Sequence, residues 1–302
     1  MTRIADVSAN QILLSNYKEL QRSVLESQRQ ISTGKASPDF KGLSDKVDLL
    51  LTSKSAAAKS ERFKNLAKEV SSRLELQDLH LTTIANAAKD LRASITESLA
   101  NDSGLVLTEQ LDGFVRIAAA AANATFDGRY IFGGTNNEQP PVNVDSLTGL
   151  VGAAAVGDVF DNNQIKQSVR IDASEKIEYG FLASDVLTDV FTVVRAIDAL
   201  GPFAEHLTPA QEAGIQAEIA NLITATEAIN SQVARNGILQ NETEEAIERH
   251  SDQRVFLLGV ISDIEDADPA EAISKLNLDQ TTAEATARVL ADLTRVSLLN
   301  FI

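Results

Sequence analysis

The chain has 302 residues, 44% of them hydrophobic, with no cysteine and a formal charge of −16. That is length enough for two domains with a substantial core, while the missing thiol excludes disulfides, thiolate metal sites and cysteine nucleophiles. A surface of this sign repels a phosphate backbone, so nucleic acid is excluded as a partner.

Aromatics make up 5% of the chain and only six residues are proline, against abundant helix-tolerant side chains, so the expected class is mainly α. The first residues, Met1 to Ser8, lack an apolar h-region, and no stretch reaches the roughly 18 apolar residues of a membrane span. Export, if it occurs, is expected to proceed without a cleaved signal peptide. Charge is polarised along the chain: residues 1–66 carry a net +4 and residues 240–302 a net −8.

The first predicted helix places Leu13, Tyr17, Leu20, Val24 and Ile31 on one stripe, with Ser27 in the remaining slot, and ends at Thr33-Gly34-Lys35. A second begins near Ser44. Its heptads put Ala67, Leu74, Leu81, Ala88 and Ile95 in one series and Val70, Gln77, Ile84, Leu91 and Ser98 in the other, which predicts a helix of roughly 85 Å over 44–100. A turn at Asn101-Asp-Ser-Gly104 precedes a third helix from about Leu107 to Ala124.

Between Asp127 and Leu182 the pattern changes. Seven of the 15 glycines lie there, beside the alternating runs Ser168-Val-Arg-Ile-Asp and Lys176-Ile-Glu-Tyr, which read as short strands. Gly128-Arg129-Tyr130-Ile131-Phe132-Gly133-Gly134 opens this segment. It predicts a turn at Asp127-Gly128, a strand with Tyr130 and Phe132 on one face and Ile131 on the other, and a flexible glycine exit. On composition alone, a structural hairpin is the preferred reading.

In the C-terminal arm a single register runs from Ile215 through Ile219, Leu222, Thr226, Ile229, Val233, Asn236, Gln240, Thr243, Ile247, His250, Arg254, Leu257 and Ile261 to Ile264. Its polar middle, Asn236 to Thr243, reads as a stretch that fixes register at a cost in stability. After Asp268-Pro269 a last helix carries Val289, Leu293, Val296 and Leu299, with Leu290 and Leu298 widening the face. Neither terminal helix can bury its apolar face alone. Terminal segments mobile in the monomer and ordered on assembly are therefore expected.

No phosphate loop, dinucleotide fingerprint, zinc-helix motif or nucleophile elbow occurs in the sequence. His80, His206 and His250 stand far apart without metal-ligand spacing, and the Glu242–Glu248 run reads as a solvated helix face. Asp263, Glu265, Asp266 and Asp268 lack the bend glycine and closing glutamate of a calcium loop. No catalytic, cofactor or metal residue is nominated, and no enzymatic activity is expected.

Several segments together resemble the flagellin family over nearly the whole chain. Leu25-Glu-Ser-Gln-Arg-Gln-Ile-Ser-Thr-Gly-Lys35 is similar to its N-terminal helix-to-turn signature, and Ala234-Arg-Asn-Gly with Gln240-Asn241 to the segment leading into its C-terminal half. Asp266-Ala-Asp-Pro-Ala-Glu-Ala272 with Lys275-Leu-Asn-Leu-Asp-Gln280 resembles the entry to its last helix. The 128–134 motif and the ending Leu293 to Ile302 are more like the family's hook–filament junction subunits than its filament subunits. After Lys35 the family's usual Pro-Ser-Asp-Asp-Pro type of stretch is replaced by Ala36 to Ser44.

The resemblance implies a coiled-coil assembly region (1–43 with 269–302), a helical rod (44–127 with 183–268) and a small β-rich outer domain (128–182). It also implies type III export to the extracellular flagellum and an export chaperone on the C-terminal helix. A ring of identical copies, contacting a neighbouring hook-associated protein and flagellin, completes that expectation. Filament flagellin is the alternative within the family, and a cytoplasmic coiled-coil adaptor the alternative outside it.

Overall fold

The computed structural model describes the backbone of residues 2–43 and 45–299, and the side chains of 11–40, 42–43 and 45–292. Its described elements are helices α1 (Thr2–Thr33), α2 (Val47–Ala100), α3 (Leu107–Ala122), α4 (Leu147–Gly152), α5 (Ala183–Asp198), α6 (Pro209–Glu265) and α7 (Pro269–Leu299). Strands β1 (Thr125–Phe126) and β2 (Arg129–Tyr130) form one antiparallel pair, and β3 (Ser168–Arg170) and β4 (Lys176–Glu178) another. The chain is thus mainly α, with long helices from both ends and small sheets in the middle.

The long helices start and stop where local chemistry dictates. Thr208 and Gln211 form a reciprocal cap at the start of α6: the Gln211 amide donates to Thr208 Oγ1 at 3.3 Å, and the Thr208 amide to Gln211 Oε1 at 3.0 Å. Pro209, which has no amide hydrogen to satisfy, takes the first helical position. Pro269 repeats the device in α7, with Asp268 Oδ1 accepting from the amides of Ala270 (2.8 Å) and Glu271 (3.3 Å). At the end of α1, Gly34 adopts φ +69° and its amide returns to Gln30 O at 2.8 Å, a left-handed exit that only glycine makes without strain.

Two compact units are present: residues 1–59 with 252–302, and residues 60–251. In the second unit the predicted heptads are the core. Ala67, Val70, Leu74, Gln77, Leu81, Ile84, Ala88, Leu91, Ile95 and Ser98 are all buried. All but the polar Gln77 and Ser98 pack in one apolar cluster with Leu107, Leu111, Phe114, Val190, Phe191 and Val194 of α3 and α5, and with Ile215, Leu222, Ile229, Leu239 and Ala246 of α6. Phe191 centres this cluster, edge-on to Phe114 at 6.4 Å and stacked on Phe160 at 6.0 Å.

The C-terminal register also holds. Every position named from Ile215 to Ile264 is buried or half-buried.

Candidate functional site

In the first unit the functional candidate is the pair formed by the two chain ends. Helices α1 and α7 pack along each other. Leu13, Tyr17, Leu20 and Val24 are half-buried on the inner face of α1, and Ser27 is fully buried. Ile31 departs from expectation at 39% exposure. Gln30 takes the inward seat instead, donating from Nε2 to Ala36 O at 2.9 Å, because the turn beyond α1 folds back over that end and needs a donor there.

On α7 the inward series is Ala272, Leu276, Asp279, Ala283, Thr286 and Leu290, buried or half-buried, while Val289 is 48% exposed. The sequence series was therefore set one residue off the observed face at this point. The expected contacts of Leu293, Val296 and Leu299 lie outside the described side chains. Leu14 (47%) and Leu25 (65%) on α1, and Ile273 (47%) and Leu278 (67%) on α7, point outward and are uncovered.

A clasp ties the exit of α1 to the α6–α7 turn. Lys35 pairs with Asp266 as a single antiparallel bridge, with Ala36 N donating to Glu265 O at 2.8 Å and Ala267 N to Gly34 O at 2.9 Å. Lys35 Nζ contacts Asp266 at 2.7 Å and Glu265 at 3.4 Å, and Lys54 pairs with Glu265. The hydrogen bond from Lys35, joined by one from Ser262, holds the Asp266 carboxyl below its usual range. The bond from Lys54 does the same for Glu265, and the bond to Asp266 raises Lys35.

In the second unit the mid-chain insert is seated on the long helices by polar side chains in the heptad core. Gln77 Nε2 donates to Ile131 O at 2.8 Å, and His250, stacked on Phe63 at 5.3 Å, donates from Nε2 to Ile171 O at 2.7 Å. Asn236 Nδ2 donates to Leu74 O at 2.9 Å and to Asp78 Oδ1 at 3.2 Å. Arg73 lies over the rings of Phe126 (5.6 Å) and Tyr179 (5.8 Å) and bonds Gln167, and Arg249 reaches Glu175 at 2.8 Å.

The Asp127-Gly128 turn is present, with both φ angles positive at 51° and 72°, but the strand of the 128–134 motif is confined to Arg129 and Tyr130. Ile131 and Phe132 are both buried, so the predicted two-faced alternation ends at Tyr130. The glycine exit is packed, contrary to the expected flexibility. A Cβ on Gly133 would sit 2.3 Å from Asn136 O, and one on Gly134 (φ +67°) 2.6 Å from Asn163 Oδ1 and 2.7 Å from Ile165 O.

Sequence reasoning read Gln77, Asn236 and His250 as core slots but missed that they bind backbone carbonyls. The polar identity of three residues in an otherwise apolar series was the available signal. The three histidines are not brought together: His80 is half-buried on α2, with its pKa lowered by burial, and His206 is exposed against Asp102 at 2.9 Å. Among the described residues, no group of three or more histidine, aspartate or glutamate side chains could hold a metal, and no helix is long and apolar enough to cross a membrane.

These features define a class of fold: a helical protein whose two ends pair with each other and whose middle carries a small, polar-seated β insert. Residues 219–302 match the family model described as the bacterial flagellin C-terminal helical region. The fold is shared with solved structures that include the following. A Vibrio parahaemolyticus chain described as a flagellar hook-associated protein has TM-score 0.59 and 17% identity, covering 71% of this chain and 95% of that one. FlgL of Bacillus cereus has TM-score 0.51 and 13% identity, covering 65% and 98%. FlgL of Xanthomonas campestris has TM-score 0.59 and 14% identity, covering 70% and 99%. No curated protein sequence matches this one.

Proposed function

We propose that this chain is a structural subunit of the bacterial flagellum, placed at the junction between hook and filament, and that it assembles through its terminal helices. One observation carries the reading: α1 and α7, from opposite ends of the sequence, form a pair that still leaves Leu14, Leu25, Ile273 and Leu278 open to solvent. Large apolar side chains left open on a helix pair gain most by packing on further helices. The likeness in fold to hook-associated proteins supports the junction over other positions.

On this reading residues 1–43 with 269–302 are the assembly region, 44–127 with 183–268 the rod and 128–182 the outward-facing part. The partners are further copies of the chain, a neighbouring hook-associated protein and flagellin, with an export chaperone holding α7 before assembly. The chain works outside the cell after type III export, and its role is mechanical, not catalytic. Apolar helix packing transmits load between subunits without the desolvation cost of buried ion pairs.

The test is deletion of the gene in the bacterium that carries it, with restoration by an epitope-tagged copy. Hooks without filaments, rescued by a copy that labels a short band at the hook's outer end, are expected. Label along the whole filament would instead favour filament flagellin, and label confined to the cytoplasm would remove the flagellar reading.

A further inference from the structure

Phe256, on α6 beyond the insert-bearing part of the chain, is 70% exposed, and Val255 beside it 65%. Asp252, Phe256, Gly259 and Asp263 follow one another at helical spacings of four, three and four, so they share one face, and all four are exposed. A Cβ built on Gly259 meets nothing within 4 Å. Glycine weakens a helix interior relative to alanine, and an open glycine beside an open phenylalanine leaves a site where another helix can approach closely.

Helix α1 presents the complementary pattern. Leu14, Lys18, Arg22 and Leu25 lie on its outward face at spacings of four, four and three, and all are exposed. Acids flank the apolar centre on α6, and bases sit between apolar ends on α1. Among the described residues none of these four charged groups has an ion-pair partner. The outward face of α7 is less suited, because Glu271, Glu284 and Asp292 are exposed on that helix. Within one molecule both stripes stand open, so neither covers the other.

We propose that the Asp252–Phe256–Gly259–Asp263 stripe of α6 is the docking face for the Leu14–Lys18–Arg22–Leu25 stripe of α1 in a second copy of the chain. This rests on the assembly reading above and specifies which surfaces meet. Each stripe spans about 16 Å of helix, so side by side Lys18 and Arg22 lay their alkyl stems along Phe256 and Gly259 and extend to the flanking aspartates, while Leu14 and Leu25 pack along the two ends of the contact. A contact joining two different surfaces is heterologous and propagates around a ring or along a helix of subunits.

The chain has no cysteine, so single thiols report cleanly. Cells expressing Leu25→Cys and Phe256→Cys from two gene copies are treated with a short bismaleimide, and their flagellar fraction is analysed by denaturing electrophoresis. The expected result is a product of twice the chain mass, lost when Lys18 and Arg22 are both changed to Glu on the Leu25→Cys chain. It should return when Asp252 and Asp263 are changed to Lys on the other chain. Variants that reach the flagellar fraction without forming the product overturn the docking and leave the assembly reading intact. If the unaltered chain never reaches that fraction, the assembly reading falls. In that case, or if only the variants fail to reach it, the two purified variants mixed at high concentration decide the docking: a cross-linked heterodimer upholds it and its absence overturns it.

Discussion

Two glycines and four charged groups fix the turns on which this chain depends. Gly34 leaves α1 at φ +69° with open space where a Cβ would go, so Gly34→Ala should cost only the left-handed strain, about 1 kcal/mol, read as a lower chemical-denaturation midpoint. Gly134→Ala faces both a positive φ and backbone oxygen at 2.7 Å. It should cost more, about 1–3 kcal/mol, and loosen the insert entry, which near-ultraviolet dichroism of Tyr130 and Tyr179 would register. The clasp carboxyls of Glu265 and Asp266 have depressed pKa values and Lys35 a raised one. Their stabilisation is therefore present above about pH 4, is lost as acid protonates the folded carboxylates, and is lost again in strong base as Lys35 deprotonates. Exchange of the Ala36 and Ala267 amides, which form the bridge, should accelerate below that acid limit before the second unit's core amides do. Unchanged protection there would mean the clasp does not depend on its charges.

At the scale of helices and strands, much was legible because burial on a long helix imposes a period that sequence displays directly. The series Ala67 to Ser98 and Ile215 to Ile264 both lie inward as expected, since over so many turns any other phase would expose most of the apolar residues. Ile31 was misplaced because near a helix end a turn can shift the face by one residue with no following turns to correct the phase, and Val289 because two adjacent apolar residues, Val289 and Leu290, offer the face equally and only the packing against α1 chooses between them. Helix α4, six residues long, left no periodic signal. The seating of the insert was illegible because a side-chain bond to a distant carbonyl has no sequence pattern beyond the polar residue itself. Gln77→Leu should leave Ile131 O buried without its donor and cost about 1–3 kcal/mol, measurable as a loss in thermal stability, whereas Leu81→Ala, which empties a fully buried seat, should cost about 2–5 kcal/mol. If Gln77→Leu proves neutral, the polar seat contributes nothing net and serves only to choose the register.

For the whole molecule, the two compact units differ in what their helices find to pack against. The second surrounds α2 and α6 with α3, α5 and the insert, while in the first α1 and α7 have chiefly each other and keep large apolar side chains in water. An isolated helix pair of this kind is marginal. Hydrogen exchange on the purified chain should therefore find residues 11–33 and 270–292 exchanging far faster than Leu74–Ile95 and Leu222–Ala246. Equal protection in the two sets would show that the pair is self-sufficient and would weaken the case for assembly-coupled ordering.

The clasp joins Lys35 to a residue 231 positions further along the chain. A polypeptide delivered from one end cannot close that contact until nearly all of it has arrived, and a truncated product lacking either terminal helix leaves the surviving one with no mate. The same geometry that joins the ends thus makes completeness a condition of the surface: only a molecule carrying both terminal helices presents the finished two-helix face, so under the assembly proposed above broken or unfinished chains are kept out.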